Sequence, residues 1–570
     1  MMNMRGTVDR RSKIFEFCDD ESTKYAILSH RWIDPTEVDY EEMADLAKMN
    51  VEEREDIRQR LGYKKILNTC EQAQRDGYDW VWVDTCCIDK RSSADLSEAI
   101  NSMYRWYANS GVCYAYLHDI RGPSFPTERD YEEYPRSTGW PEWFSRGWTL
   151  QEMIAPSNVQ FFNKDWQPIG DKKTLGRTLE DITKVPVHIL TEGLFGNRPC
   201  IAQIMSWAAR RKTTRVEDRA YSLMGLLDVN MPMLYGEGKK AFHRLQLEIT
   251  RSSNDKSIFA WGWFEDVRSG CILADDPSFF NSCSHLELLD YNEFIDTLKR
   301  SVPNVELPSI DPDCFGTFPV TNRGIHMWMI LRPYRDSDSI FEAFLPCRNE
   351  FGSLATIGLA SWDSNCYRYP EVPATHLEGS LQFRQVYLRY QDIPCNVTFE
   401  IDDSAITENG FIRSEVTPSE HSGNTPTLTS TSPLCIRTYS ERRGNGRFAV
   451  AFGQCFGHDW IHMINKPPRK ISPRVTEQLA TEGPDRSQSM VDMYSRDDCR
   501  RGMSIHYMRL PESNWVVRTC RFVWEVSRIK IRMDAFPSSH FGNSGLNEWK
   551  MFALEVRDFL AVHIDYHNHS

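Results

Sequence analysis

The chain has 570 residues, 41% of them hydrophobic and 12% aromatic, with a formal net charge of −13. Single cores stop growing near ~250–300 residues, so this length predicts two or three domains. The acidic balance excludes a general nucleic-acid binder, which needs a basic face to neutralise phosphates.

The first twenty residues, "MMNMRGTVDRRSKIFEFCDD", carry early positive charge with no apolar run behind it, so they do not read as a secretory signal. No stretch approaches the ~20 apolar residues that a membrane span needs. Sixteen cysteines without a Cys-x-x-Cys pair resemble neither a disulfide framework nor a zinc site, and no metal ligands are assigned. These features predict a cytoplasmic protein, in which the sequon at Asn396 has no consequence.

In chain order, Tyr25–Leu28 is a short apolar run without alternation, as expected of a strand covered on both faces, and it ends in Ser29, His30, Arg31 and Trp32. Ile66, Leu67, Cys70 and Ala73 fall at helical spacing, and Gly77 stops that helix. Trp80–Val83 is a second strand, ending at Asp84. A helix follows over 91–111. Ser92 and Asp95 fit a capping box there, and Leu96, Ile100, Met103 and Tyr107 form its apolar stripe. Residues 112–117 form a third strand ending at His118-Asp119, followed by a polar insert at about 121–141. "WFSRGWTLQEMIAP" (143–156) reads as one further helix, and "NVQFFN" (158–163) as a fourth strand. This alternation predicts an open parallel sheet with helices on both faces, whose ligands bind beyond the carboxyl ends of the strands.

"YAILSHRW", "DWVWVDTCCIDK" and "RGWTLQE" resemble the three blocks of the fungal heterokaryon incompatibility (HET) domain. The similarity continues through 205–249, and "SNDKSIFAWGW" (253–263) resembles the start of a domain that often follows HET. The resemblance implies a role in non-self recognition and in cell death when incompatible hyphae fuse. HET domains are in turn distantly similar to TIR domains, which implies a TIR/flavodoxin-like fold. Many TIR domains hydrolyse NAD with the glutamate of a Trp-x-x-x-Glu pattern. Carried over to this sequence, that glutamate is Glu152, with Trp148 one turn before it on the same face.

Breaking the nicotinamide–ribose bond passes through an oxocarbenium-like state that a carboxylate can stabilise. Glu152 is therefore the candidate catalytic residue. Ser29, His30, Arg31, Trp32, Asp84, Asp89 and Trp148 are candidate ligand-binding residues, with Trp148 or Trp32 stacking on a ring and Arg31 pairing with a phosphate. Each has a plainer alternative. Glu152 could face solvent or pair with Arg146 or Arg31, Asp84 could cap the next turn, and His30 could be a satisfied hydrogen-bonding residue. Cys86 and Cys87 lack the surroundings of a thiol nucleophile and read as packing residues. "YGEGKK" (235–240) fails the phosphate-loop pattern twice, with Met233 at the first glycine position and Lys240 at the Ser/Thr position. Arg215, Asp218 and Arg219 read as a polar anchor for the apolar helix after them.

Beyond residue 270 helical periodicity fades, and β-type runs such as "GIHMWMIL", "LQFRQVYLRY", "RFAVAFG" and "IKIRM" alternate with Pro- and Ser-rich turns. They predict a sandwich or an irregular barrel. The expected organisation is α/β, TIR-like at about 22–170, with a helical extension at 171–250 completing a HET domain at 1–250. A mixed to β-rich domain at 251–412, a flexible loop or linker at 413–445 and a β-rich part at 446–570 follow. Two functions are carried forward. One is a NAD hydrolase, with NAD as substrate and no further cofactor, that works with protein partners or by self-association. The alternative is a non-catalytic module that signals by protein–protein assembly.

Overall fold

The computed structural model describes residues 20–262 and 270–391, apart from short gaps at 34, 47–48, 50, 195, 197, 303–306, 309–315, 317, 334–339, 363–364 and 370–379. It also describes most of 397–465 and strands at 2–3, 504–509, 516–521, 529–537 and 549–558. The sequon at Asn396 lies outside the described residues. The chain forms two compact units, one made of Met1–Phe264, Ile272–Tyr334 and Ile340–Tyr390, the other chiefly of Gln391–Ser570.

The first unit opens with a six-stranded sheet of β1 (Met2–Asn3), β2 (Tyr25–His30), β3 (Trp80–Trp82), β4 (Val112–Tyr116), β5 (Val159–Phe162) and β6 (Pro168–Asp171), in the order β1-β3-β2-β4-β5-β6. The four inner strands, β3-β2-β4-β5, are mutually parallel, and β1 and β6 add antiparallel at the two edges. Every residue of β2 is buried, which is why its apolar run does not alternate. Ala26, Leu28, Val81 and Val83 share a core with Tyr63, Ile66, Cys70 and Ala73 of helix Leu61–Arg75. On the other face Trp82 packs against Trp106 and edge-on against Tyr107 of helix Ser93–Asn109. Ser92 caps that helix by accepting from the Asp95 amide at 3.2 Å. Gly77, at φ 83°, supplies the turn between helix Leu61–Arg75 and β3.

The chain leaves β2 towards one side of the sheet and then continues at β4 on the other. The carboxyl ends of β2 and β4 therefore flank the crevice where open α/β sheets bind ligands.

The region 143–156 is not one helix. Glu142–Ser145 is a 3-10 turn and Thr149–Ile154 a short helix. Between them Arg146 runs extended as a parallel bridge to Lys212. The Gly147 amide donates to the Lys212 carbonyl at 2.9 Å, and the Lys212 amide donates to the Ser145 carbonyl at 2.6 Å. Apolar spacing was a poor guide here because a distant segment takes the backbone bonds that a continuous helix would have used. The approach needs glycine, since a Cβ on Gly147 would lie 2.5 Å from Thr213 Cγ2. Gly147→Ala is expected to lower stability by about 1–3 kcal/mol, the usual cost of overpacking. Urea titration should show the loss, and Thr213→Ser, which removes the offending methyl, should recover most of it.

Helices Gly176–Thr183, Val187–Glu192, Ile201–Ala208, Asp218–Tyr221, Met224–Leu227 and Lys240–Ser252 follow the sheet. Here "YGEGKK" is a turn held from below. Glu217 accepts from the amides of Gly236 at 2.8 Å and Gly238 at 3.0 Å, and its own backbone amide, with these two, holds its carboxyl below the ordinary glutamate range. Tyr235 donates to Asp218 at 3.0 Å, and Arg219 grips Asp276 with two bonds of 2.9 and 2.6 Å. These contacts fit the polar-anchor expectation for this segment.

Still in the first unit are β7 (Glu287–Leu288), β8 (Ile325–Pro333), β9 (Ile340–Arg348), β10 (Leu354–Trp362), β11 (Asn365–Tyr369) and β12 (Gln382–Leu388). Their order is β10-β11-β12-β8-β9-β7, and β10 also pairs with β9, so five of the strands close into a ring. Within the second unit, strands Phe411–Thr417, Leu434–Glu441, Arg447–Cys455 and His458–Asn465 form a four-stranded antiparallel sheet. A six-stranded sheet accompanies it. The region after 270 is thus β-rich. Among the described residues, no helix is long and apolar enough to cross a membrane.

Candidate functional site

Strand alternation sends Ser29 and His30 to opposite faces of the sheet. On one face, Ser29 Oγ donates to Glu152 Oε2 at 2.5 Å and accepts from Trp143 Nε1 at 2.8 Å. Three chain segments meet at that hydroxyl: the end of β2, the 3-10 turn and helix Thr149–Ile154. Ser29 and Trp143 are wholly buried and Glu152 is 4% exposed. Burial raises the Glu152 carboxyl from 4.5 to about 8, and the nearby Asp84 charge adds to the rise. The Ser29 hydrogen bond and the charges of Arg146 and Arg211 pull in the other direction. At neutral pH Glu152 is therefore mostly protonated.

The opposite face holds His30, Glu37, Lys65 and Asp84. Lys65, buried, reaches both oxygens of Glu37 at 2.6 and 2.9 Å. His30 Nε2 lies 3.5 Å from Asp84 Oδ1 and 4.0 Å from Glu37 Oε2. Burial, helped by the Lys65, Lys90 and Arg146 charges, holds His30 well below 6.5, so the ring is neutral and these approaches are not ion pairs. Asp84 accepts from Trp32 Nε1 at 2.8 Å, and burial raises its carboxyl above the ordinary aspartate range. Trp32 is 40% exposed, and Lys90 Nζ sits 3.8 Å over its ring.

A third cluster closes the gap between the ends of β2 and β4. Arg31 pairs with Glu142, and its guanidinium lies 3.5 Å from His118 Nε2. Asp119 accepts from the Glu142 amide at 2.7 Å. Glu142 is thus fixed at both its backbone and its carboxylate. The adjacent Trp143 is held with it over Ser29.

Ser29, His30, Arg31, Trp32, Asp84 and Glu152 accordingly gather around the end of β2. Asp89 and Trp148 do not join them through their own bonds. Asp89 accepts from the Arg91 guanidinium through two bonds of 2.9 Å in a local turn. Trp148 bonds the Asp218 carboxylate in the helical extension, and the indole beside Ser29 is Trp143. Sequence reasoning passed over Glu142 and Trp143. Their role depends on the break at Arg146–Gly147, and nothing in their spacing signals it. His118 and Asp119 were visible as a polar strand end, but their partner Glu142 was not.

Cys86 and Cys113 are inert, whereas Cys87, half-buried, is held below the ordinary thiol range because its burial is outweighed by the Cys86 hydrogen bond and the Val83 amide. Cys86 and Cys113 are both wholly buried free thiols held well above the ordinary thiol range, Cys86 by its hydrogen bond with Cys87 together with burial and Cys113 by burial. Neither is expected to react with iodoacetamide in the folded chain at neutral pH, whereas both should react after unfolding in urea. Mass mapping of the alkylated peptides checks this.

Residues 25–139 match the family described as "Heterokaryon incompatibility protein (HET)". The chain is also 44% identical over 231 residues to "Vegetative incompatibility protein HET-E-1" of Podospora anserina. That match covers 40% of this chain and 16% of the Podospora protein, so the two share one region of a much longer relative. The matched family region contains the strand ends that supply Ser29–Trp32, Asp84 and His118-Asp119. Residues 25–139 are thus similar to the heterokaryon incompatibility (HET) domain, and the likeness extends to this N-terminal region of the chain.

Proposed function

We propose that this chain acts in fungal non-self recognition as a cytoplasmic effector that triggers cell death. In this proposal its HET domain hydrolyses the nicotinamide–ribose bond of NAD with Glu152 as the catalytic carboxylate. The observation that carries the proposal is the placement of Glu152. Its carboxyl meets Ser29 at the carboxyl end of β2, beside the point where the strand order reverses. The parallel order β3-β2-β4-β5 is also the order with which flavodoxin-like sheets begin, which supports the TIR-like assignment.

In this reaction the C1′–N bond breaks, its electron pair goes to the pyridinium ring, and nicotinamide leaves neutral. Ionised Glu152 stabilises the oxocarbenium-like ribose and takes the proton of the attacking water, so ADP-ribose and nicotinamide are the products. Trp32 offers an exposed ring for stacking, and Arg31 can bind a phosphate once it releases Glu142. The closed state hides the carboxyl, so substrate entry requires the 142–145 turn to move. A protein partner or self-association is the proposed trigger for that movement.

The burial of Glu152 at 4% exposure also favours the second reading, in which Ser29, Trp143 and Glu152 merely fasten the turn and the domain signals by assembly. Induced expression of the full chain in yeast, wild type beside Glu152→Gln at matched levels, separates the two. NAD falling before death in the wild type alone supports hydrolysis. Killing by both forms with NAD unchanged supports assembly.

A further inference from the structure

A second polar centre lies away from the β2 end, where the insert before Trp140 meets the helical extension. It is a cavity of about 110 Å³. At ~30 Å³ per water molecule this is room for one phosphate-sized group. Trp140, Trp207 and Arg211 line it, at 6%, 3% and 4% exposure. In each of the three a buried N–H group lacks a hydrogen-bond partner: Trp140 Nε1, Trp207 Nε1 and one terminal nitrogen of Arg211. Buried donors are almost always paired in folded proteins, so three orphans on side chains that line one cavity call for an acceptor there. Arg129, Lys184 and Arg210 add positive charge to that of Arg211 in a lining otherwise made of neutral side chains, and none of the described residues around the cavity is acidic.

The charge on Arg211 is the deciding feature. Its other nitrogens donate to neutral groups, namely the Arg146 carbonyl at 2.9 Å, Thr149 Oγ1 at 3.0 Å and the Trp207 carbonyl at 3.3 Å. Its nearest favourable acid is Glu152, which burial keeps mostly protonated at neutral pH, and burial lowers the guanidinium itself to about 9. Water in the cavity would satisfy the three donors but leave the cations uncompensated. A tetrahedral oxyanion satisfies both, because its oxygens accept several N–H bonds at once and carry the opposite charge.

We infer that the cavity bounded by Trp140, Trp207 and Arg211, with Arg129, Lys184 and Arg210 at its rim, is a binding site for a phosphate-class oxyanion. The ligand is either free inorganic phosphate or the terminal phosphate of a small phosphorylated metabolite. The site needs Glu152 to be protonated at neutral pH, and it does not need that residue to be catalytic.

The test is calorimetric titration of the full-length chain with inorganic phosphate and, separately, with AMP, with chloride as the control anion. The indole fluorescence of Trp140 and Trp207 gives a second readout. Saturable phosphate binding with an accompanying fluorescence change is expected. Arg129→Ala combined with Arg210→Ala, both at exposed positions, should weaken it about tenfold while the melting temperature holds. Arg211→Met is expected to abolish it, but the exposed pair keeps the test valid if that variant does not fold. Equal affinity for the two ligands identifies free phosphate as the occupant, and tighter AMP binding identifies a nucleotide. Absence of saturable binding by both ligands, or unchanged affinity in the double variant, overturns the inference.

Discussion

Glu152→Gln should abolish NAD loss and leave the fold intact. The substitution is mild structurally because the native side chain is already mostly protonated at neutral pH, raised by burial to about 8. An amide oxygen can accept from Ser29 Oγ as the acid does. Chemically it is severe, since glutamine can neither become a carboxylate beside the ribose nor take a proton from water. Losses on the order of 10²–10⁴-fold are typical when such a group is removed. The same ionisation sets the pH profile. Below about 8 the active carboxylate is a minor form, so kcat/KM for NAD should rise roughly tenfold per pH unit up to that point. A flat profile between pH 6 and 8, or NAD loss by the glutamine variant at the wild-type rate, would remove Glu152 from the chemistry.

The stability of the protein should move the other way over the same range. Folding raises the Glu152 pKa from 4.5 to about 8, so between those values the folded chain holds a proton that the unfolded chain has released. Stability then falls as pH rises. The contribution is complete below about 4.5 and is lost as pH climbs through about 8. At about 1.4 kcal/mol per pKa unit the effect is of the order of a few kcal/mol. Other groups titrate in this window, so the informative quantity is the difference between wild type and Glu152→Gln. Urea midpoints measured from pH 5 to 9 should show the wild type losing stability relative to the variant, most steeply between the two pKa values, at about pH 6–7, and levelling off above about 8. Parallel curves would mean that Glu152 is ionised in the folded state after all. Together the two expectations describe a domain whose chemistry and whose destabilisation share one proton.

The inner strands were legible because residues buried on both faces of a parallel sheet leave an unbroken apolar run. Tyr25–His30, Trp80–Trp82, Val112–Tyr116 and Val159–Phe162 all lie where such runs stand in the sequence. The polar residues at their ends were equally readable, because a strand must stop where its side chains turn polar. The layer above them was not. Trp143 reaches Ser29 across 114 positions, and Arg31 pairs with Glu142 across 111. No local periodicity encodes such contacts. Trp148 had the helical spacing that suggests partnership with Glu152, yet its indole bonds Asp218, because the helix begins only after the extended residue Arg146. The apolar runs after residue 270 located strands, and the ring closed by β9 and β10 needed the tertiary structure.

The splice between Arg146 and Lys212 has a consequence for heredity. A crossover or gene fusion that moved only residues 25–139 would carry the polar strand ends but leave Glu152 behind. One joined just after the helix that bears Glu152 would still lack Lys212 and the Arg211 guanidinium, which bind the segment leading into that helix. The smallest exchangeable piece of this molecule therefore extends at least through Lys212.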